Sequence, residues 1–261
     1  MKVREHNRIA WDKQVEWGGN PWTIPASPGE IQAARQGQWV IYLTPTKAVP
    51  HAWLPGLEEG RQVLCLASGG GQQGPILAAA GARVTVLDNS PKQLGQDHLV
   101  AEREGLEITT IEGDMAHLDM FPDESFDFIV HPVSNVFAAE ILPVWREAYR
   151  VLRHGGVLVA GFNNPALHLF DYDQAQKTGQ LMVKYKLPYS DAERLSEAEQ
   201  QAFLEGGNAL EFSHTLEEQI GGQIAAGFVI TGLYEDYDRD VENNPLSRFM
   251  PTYIATRAVK P

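Results

Sequence analysis

Cysteine is almost missing from this chain. Only Cys65 occurs among 261 residues, so no internal disulfide can form, and a lone thiol inside an apolar run reads as a small buried side chain. Basic residues are also few: 21 Lys and Arg stand against 34 Asp and Glu, a formal net charge of -13, and they form no Lys/Arg-rich block. That argues against nucleic acid as a partner, because affinity for a phosphate backbone rests on such residues. No stretch reaches the roughly 18 apolar residues of a membrane-spanning helix, and the opening M-K-V-R-E-H-N-R-I-A-W has no apolar signal core. A reducing, cytoplasmic setting without membrane attachment is expected. The eight histidines show no paired spacing with Cys65 or with carboxylates, so no metal is expected.

What is present begins with V-L-C-L-A-S-G-G-G-Q-Q-G, residues 63 to 74. Val63 to Leu66 have the composition of a buried strand, Gly69 to Gly71 make a turn, and Pro75 to Ala80 form a helical run that Gly81 can close. A strand, a glycine turn and a helix N-terminus in that order place backbone N–H groups and a helix dipole where an anionic or polar ligand can meet them.

Apolar strands and helical stretches then alternate. Strands are expected at Arg83 to Asp88, Glu107 to Gly113, Asp127 to Val130 and Gly156 to Phe162, and helices at Pro91 to Glu104, with Ser90 as N-cap, and Ile141 to Leu152. Such alternation means a parallel sheet with helices on both faces, a doubly wound α/β fold. The N-terminal residues 1 to 60 differ in character. They carry Trp11, Trp17, Trp22, Trp39 and Trp53, and are broken by six prolines. A short helix is expected over Ile9 to Val15 and a capping box at Ser27-Pro28-Gly29-Glu30; Trp39 to Leu43 could be strand or helix. These aromatics pack on the sheet or form a lid over a ligand site. Residues 163 to 212 interrupt the rhythm as an insertion, with an acidic helical stretch from Asp191 to Phe203. Thr215-Leu216-Glu217-Glu218 then opens a capped helix ended by Gly227, and strands are expected at Phe228 to Tyr234 and Phe249 to Ala258.

Gly69, Gly71 and Gly74 also satisfy G-x-G-x-x-G, and Asp88 ends the next strand, about 20 residues on, where a carboxylate can accept both hydroxyls of a ribose. A nucleoside ligand explains both features. An NAD(P)-dependent oxidoreductase and an adenosyl-cofactor enzyme are both compatible with them, as is a non-catalytic cofactor-binding protein that engages a protein partner.

Further motifs discriminate. Ala67-Ser68-Gly69-Gly70-Gly71, Asp88-Asn89-Ser90-Pro91-Lys92-Gln93-Leu94, Gly113-Asp114-Met115, Ser125-Phe126-Asp127 and Val151 to Leu158 occur in order. In this order they resemble the class I S-adenosylmethionine-dependent methyltransferases, of the small-molecule, methyltransferase-11-like type, over roughly residues 63 to 162. The resemblance implies a mostly parallel seven-stranded sheet, the Rossmann-like methyltransferase fold, with an antiparallel C-terminal strand. It implies a methyltransferase domain over 61 to 261, an appendage over 1 to 60 and an insertion at about 163 to 212. Implied contacts to S-adenosylmethionine are Ala67, Ser68, Gly69, Gly71, Asp88, Asn89, Gln93, Gly113, Asp114, Met115 and His131, with Asp114 at the adenine amino group. Two residues depart from the family pattern. Cys65 stands where an acid is usual, leaving the carbonyls of Ala67 and His131 more of the contact to the methionine amine. Ala67 replaces a glycine at little cost if its backbone stays in the β region.

Methyl transfer from a sulfonium is an in-line displacement for which the protein supplies mainly position. The acceptor is expected to be small and partly hydrophobic. If its proton must leave, His131, at the end of the fourth strand, is the first candidate for proton transfer, followed by His168 and His214.

Overall fold

The computed structural model describes residues 2 to 57 and 60 to 261. Its elements in chain order are α1 (Val3–Trp17), α2 (Pro28–Arg35), β1 (Gln62–Leu66), α3 (Gln73–Ala79), β2 (Arg83–Asp88), α4 (Pro91–Glu104), β3 (Ile108–Glu112) and β4 (Phe126–His131). They continue with α5 (Leu142–Val151), β5 (Leu152–Asn163), α6 (Tyr172–Thr178), α7 (Asp191–Arg194), α8 (Glu197–Glu205), α9 (Gly222–Ala226), β6 (Val229–Asp236) and β7 (Tyr253–Val259). The seven strands form one sheet in the order β3-β2-β1-β4-β5-β7-β6. The first five strands are parallel, and β7 runs antiparallel to both β5 and β6. This is the expected mostly parallel sheet with an antiparallel C-terminal pair. The strand order reverses between β1 and β4, and open sheets bind ligands beyond the carboxyl ends of their strands at such a point.

The two sheet faces are covered differently. On one, α5 presents Val144, Trp145, Ala148 and Val151, all fully buried, at the spacing of a single helical face. On the other, α3 supplies Leu77, while the irregular segment around Ile41, Leu43 and Val49 fills the space over β4, β5 and β7. That segment is neither strand nor helix, and only the isolated bridge between Tyr42 and Ala48 is formed. Its chain runs so close to β5 that a side chain at Gly161 would lie 2.3 Å from the Leu43 carbonyl oxygen. Asp236, at the end of β6, ties the segment down by accepting from Thr44 Oγ1 at 2.8 Å and from the Thr46 and Lys47 N–H groups at 2.8 and 2.9 Å.

Several boundaries moved for local reasons. The acidic stretch after Asp191 is two helices, because Leu195 is extended and Ser196 starts α8 with its own capping box to Glu199. The Thr215 box with Glu218 is present, but it opens a π-helical turn, Glu217–Gly221, ahead of α9. The last strand starts at Tyr253, because Pro245–Arg248 forms a 3-10 turn. The tryptophans of residues 1 to 60 divide. Trp53 lies against Tyr234 of β6 at 5.1 Å, and Trp17 is 71% exposed. Trp11 and Trp22 turn toward the ends of the strands.

Candidate active site

A cavity of about 1240 Å³ opens at the carboxyl ends of β1, β2, β4 and β5. It exceeds the several hundred Å³ that one small ligand usually needs. Its proximal half is the glycine loop after β1. Gly70 has φ +112, and a side chain there would meet the Trp22 carbonyl oxygen at 2.5 Å, so only glycine allows the N-terminal segment to close on the loop. The loop is braced by carboxylates. Gly69 N–H donates to Asp88 Oδ2 at 2.9 Å, and Gly70 N–H donates to Asp97 Oδ2 at 3.2 Å and to the Gln93 carbonyl at 3.1 Å.

Most residues singled out from the sequence meet here. Ala67, Ser68, Gly69, Asp88, Asn89 and Gln93 line the proximal wall. Gly113, Asp114 and Met115 continue it from the end of β3, and Gly113 N–H donates to the Asp88 carbonyl at 3.0 Å. Burial raises the Asp88 carboxyl above its ordinary value, opposed by N–H groups of Ser90 and Gly69. Those two donors occupy part of a carboxylate that offers about four lone-pair sites, so capacity remains for a diol. Two buried polar atoms on this wall, Ser68 Oγ and Gln93 Oε1, have no hydrogen-bond partner. Such atoms cost free energy unless something pairs with them. The donor and acceptor set therefore fits an adenosyl group: a carboxylate with free lone pairs, Asp114 and Met115 on the same wall, and unpaired atoms beside the glycine loop.

Two residues lie elsewhere. Gly71 sits behind the wall, its carbonyl accepting from Ala26 N–H at 2.8 Å. His131 is fully buried and off the cavity. Its Nδ1 lies 2.9 Å from the Leu66 carbonyl oxygen, its Nε2 lies 2.8 Å from Asn135 Oδ1, and its ring stands edge-on to Trp145. Burial lowers its pKa, opposed by the contacts to Asn135 and Leu66, and with both nitrogens against protein oxygens neither is left for a substrate. Pro132, Val133 and Ser134, the next residues, form the wall in its place. His214 is likewise buried, with Nε2 2.9 Å from the Ala138 carbonyl, and burial lowers its pKa. His168 does line the cavity: its Nε2 faces Glu211 Oε2 at 3.3 Å, and its buried Nδ1 has no partner.

The departures from the family pattern resolve unequally. Ala67 has φ +47, in the left-handed region and not in the β region expected of it. Its N–H is held by the Leu87 carbonyl at 2.8 Å, so the loop keeps a glycine-like turn in spite of the methyl group. Cys65 is buried, and burial pushes its thiol well up, leaving it an inert apolar residue. Asp97 was not evident from the sequence. It lies one helical turn after Gln93 on α4, fully buried, with its carboxyl pushed up to about 8 by burial, opposed by the N–H groups of Gly71 and Gly70. The i, i+4 spacing from Gln93 is the signal that could have found it.

The N-terminal helix crosses the mouth. Arg4, Asn7 and Trp11 of α1 line the cavity. Asn7 donates to the Phe137 and Leu210 carbonyls at 2.9 and 3.0 Å and accepts from Leu210 N–H at 2.7 Å. On the other side, Ser90 Oγ donates to Asp12 at 2.6 Å, and Arg4 Nε donates to Asn89 at 3.0 Å.

Comparisons with known proteins agree with this geometry. Residues 64 to 160 match the model of a methyltransferase domain. The chain is 54% identical over 255 residues to the uncharacterized methyltransferase YbaJ of Bacillus subtilis, across 98% of this chain and 97% of that protein. The chain belongs to the class I S-adenosylmethionine-dependent methyltransferases. In fold, this methyltransferase is similar to an S-adenosylmethionine-dependent methyltransferase from Mesorhizobium loti, with a TM-score of 0.60 at 19% identity over 80% of this chain and 94% of that one. It is also similar to a geranyl diphosphate methyltransferase solved in complex with its cofactor, with a TM-score of 0.55 at 14% identity over 80% and 82% of the two chains. Among the described residues no helix is long and apolar enough to cross a membrane.

Proposed function

We propose that this methyltransferase holds S-adenosylmethionine along the proximal half of the cavity and methylates a small molecule bound in the distal half. Support for the reading comes from one observation above all: Ser68, Gly69, Asp88, Asp114 and Met115 share a single wall on which Ser68 Oγ and Gln93 Oε1 lie unpaired. In this arrangement Asp88 accepts the ribose hydroxyls, Asp114 receives the adenine amino group, and Ala67 to Gly69 present the backbone to the methionine end. The bound cofactor supplies an activated methyl group on a sulfonium.

What the chain contributes is position and dryness. Alignment of two reactants in one site is worth up to about 7 to 11 kcal/mol of a barrier. Trp11 and Asn7 of α1 cover the cavity on the side of the insertion and limit water there. Where the acceptor must lose a proton, His168 is placed to take it. With Nε2–H donated to Glu211, its buried Nδ1 is left with an unpaired lone pair. His131 has no such nitrogen and acts through packing.

Isothermal titration with S-adenosylhomocysteine tests the reading. The wild type is expected to bind, and Asp88→Ala to bind at least tenfold more weakly, about 1.4 kcal/mol. Absence of binding, unchanged affinity in the variant, or greater thermal stabilisation by NAD(P) would overturn it.

A further inference from the structure

The distal half of the cavity is rich in carboxylates, and most of its tyrosine hydroxyls are already donated to protein oxygens. Tyr172, Tyr189 and Tyr253 line it, and all three hydroxyls are committed to protein oxygens. Tyr172 donates to the Leu167 carbonyl at 2.8 Å, Tyr189 to Asp191 Oδ1 at 2.6 Å and Tyr253 to Asp238 Oδ2 at 3.1 Å. Burial, first among the causes, raises the pKa of all three, so they stand as neutral phenols presenting ring surface. The one arginine of this half, Arg194, is spent on Tyr189 Oη at 2.7 Å and Asp191 at 3.3 Å, with its guanidinium over the Tyr185 and Tyr189 rings.

Three buried acceptor atoms, by contrast, have no donor. Asn244 is 7% exposed and lies on the cavity wall. Its Nδ2 donates to Asp238 Oδ2 at 3.3 Å and to Thr252 Oγ1 at 3.2 Å. A carboxylate only accepts, so the amide cannot be turned round, and the atom left without a partner is the oxygen, Oδ1. Asn163 Oδ1 on the same wall is also buried and unpaired, and His168 Nδ1 is a bare lone pair for the reason given above. Carboxylates add to this. Asp171 is matched by Lys184 and Asp191 by Arg194, but Asp173, Asp238 and Asp240, all on the wall, have no cationic partner among the described residues.

We propose that the distal half is a binding site for a small molecule bearing an ammonium group. An ammonium brings donors and no acceptor, so it can satisfy Asn244 Oδ1 and Asp238 together, and a cation is attracted to the faces of tyrosine rings as well as to unmatched carboxylates. An anionic acceptor meets three carboxylates that have no cationic partner among the described residues. The inference rests on the functional reading above for the role of the site, but the binding it asserts can be measured separately.

The test uses matched pairs that differ only in charge: tyramine against 4-hydroxyphenylacetate, and 1-aminobutane against butyrate. Each is titrated calorimetrically into the full-length protein, both free and saturated with S-adenosylhomocysteine. The amines are expected to bind at least tenfold more tightly than the acids. Asp238→Asn is expected to weaken tyramine about tenfold with S-adenosylhomocysteine affinity unchanged. Exposed Asp173→Asn is expected to weaken it by a smaller factor, and it serves as the control should the Asp238 variant fold poorly. Acids binding as well as amines, no binding by either class, or tyramine affinity unchanged in both variants would overturn the proposal. Failure of S-adenosylhomocysteine to bind would instead overturn the cofactor reading, and the pairs titrated into the free protein still decide the charge preference.

Discussion

At Ala67 an L side chain is carried through φ +47 in a turn that glycine makes without strain. Ala67→Gly is therefore expected to stabilise the fold by up to about 1 kcal/mol, the relief being partly offset by the greater freedom of glycine in the unfolded chain. A rise in melting temperature of about 2 °C is the expected reading, and a fall would show that the turn is not strained. Asp97 makes a prediction of opposite character. Its carboxyl lies well above the unfolded value of 3.8, at about 8, chiefly through burial. Between those values the native state holds a proton that the unfolded chain has released, so stability falls as pH rises through the window. The slope is at most about 1.4 kcal/mol per pH unit, and the loss is complete above the upper value. Asp97→Asn keeps an oxygen for Gly70 N–H but cannot ionise. Its denaturant midpoint is expected to be flatter from pH 5 to 9 than that of the wild type, and higher above pH 8. Burial displaces Asp88 in the same direction, which leaves a residual slope in the variant. Glycines and strand-end acids were legible in the sequence because their roles follow from local backbone geometry. Asp97 was not, because its importance comes from a contact between α4 and the loop.

Two elements hold the site by contacts that no local pattern announces. Helix α1 is pinned across the mouth by Asn7, whose amide reaches both Phe137 and Leu210. Removing three largely buried hydrogen bonds costs roughly 2 kcal/mol. Asn7→Ala is accordingly expected to lower the urea midpoint and to speed proteolytic cleavage within α1, and bound S-adenosylhomocysteine should slow that cleavage. Cleavage at the wild-type rate would show that α1 is held by other contacts. The segment crossing β5 depends on Asp236. Burial alone would raise its pKa, but the hydrogen bonds from Thr46, Thr44 and Lys47 outweigh burial and hold it below the ordinary carboxylate value. Its contribution is thus present above the unfolded value and lost as pH falls through the folded one. Asp236→Asn is expected to be less stable than the wild type at pH 7, with the gap closing in acid. The capping boxes at Ser27, Ser196 and Thr215 form as local rules require. The first and last were read from the sequence alone. The course of residues 39 to 49 was not, because it is dictated by the space left open over Gly161.

Over the whole molecule, the parallel strands followed from alternation, since each βα unit is specified within a few dozen neighbouring residues, and the antiparallel C-terminal strand followed from the family resemblance. The distal half of the cavity was beyond such reading. It is assembled from Asn163, His168, Tyr189, Glu211, Asp238 and Tyr253, which belong to separate segments whose meeting depends on packing. His131 shows the reverse error. Its place at a strand end pointed to the site, but Trp145 and Asn135 draw the ring into the core. The acidic balance of the chain, a net charge of -13, extends into the cavity and agrees with a positively charged cofactor. A crystal structure of the protein with S-adenosylhomocysteine tests the central claim most directly. Both ribose hydroxyls are expected within about 2.6 to 3.2 Å of the Asp88 carboxylate, with the adenine beside Asp114 and Met115. A ligand bound elsewhere, or a ribose that makes no contact with Asp88, would contradict it.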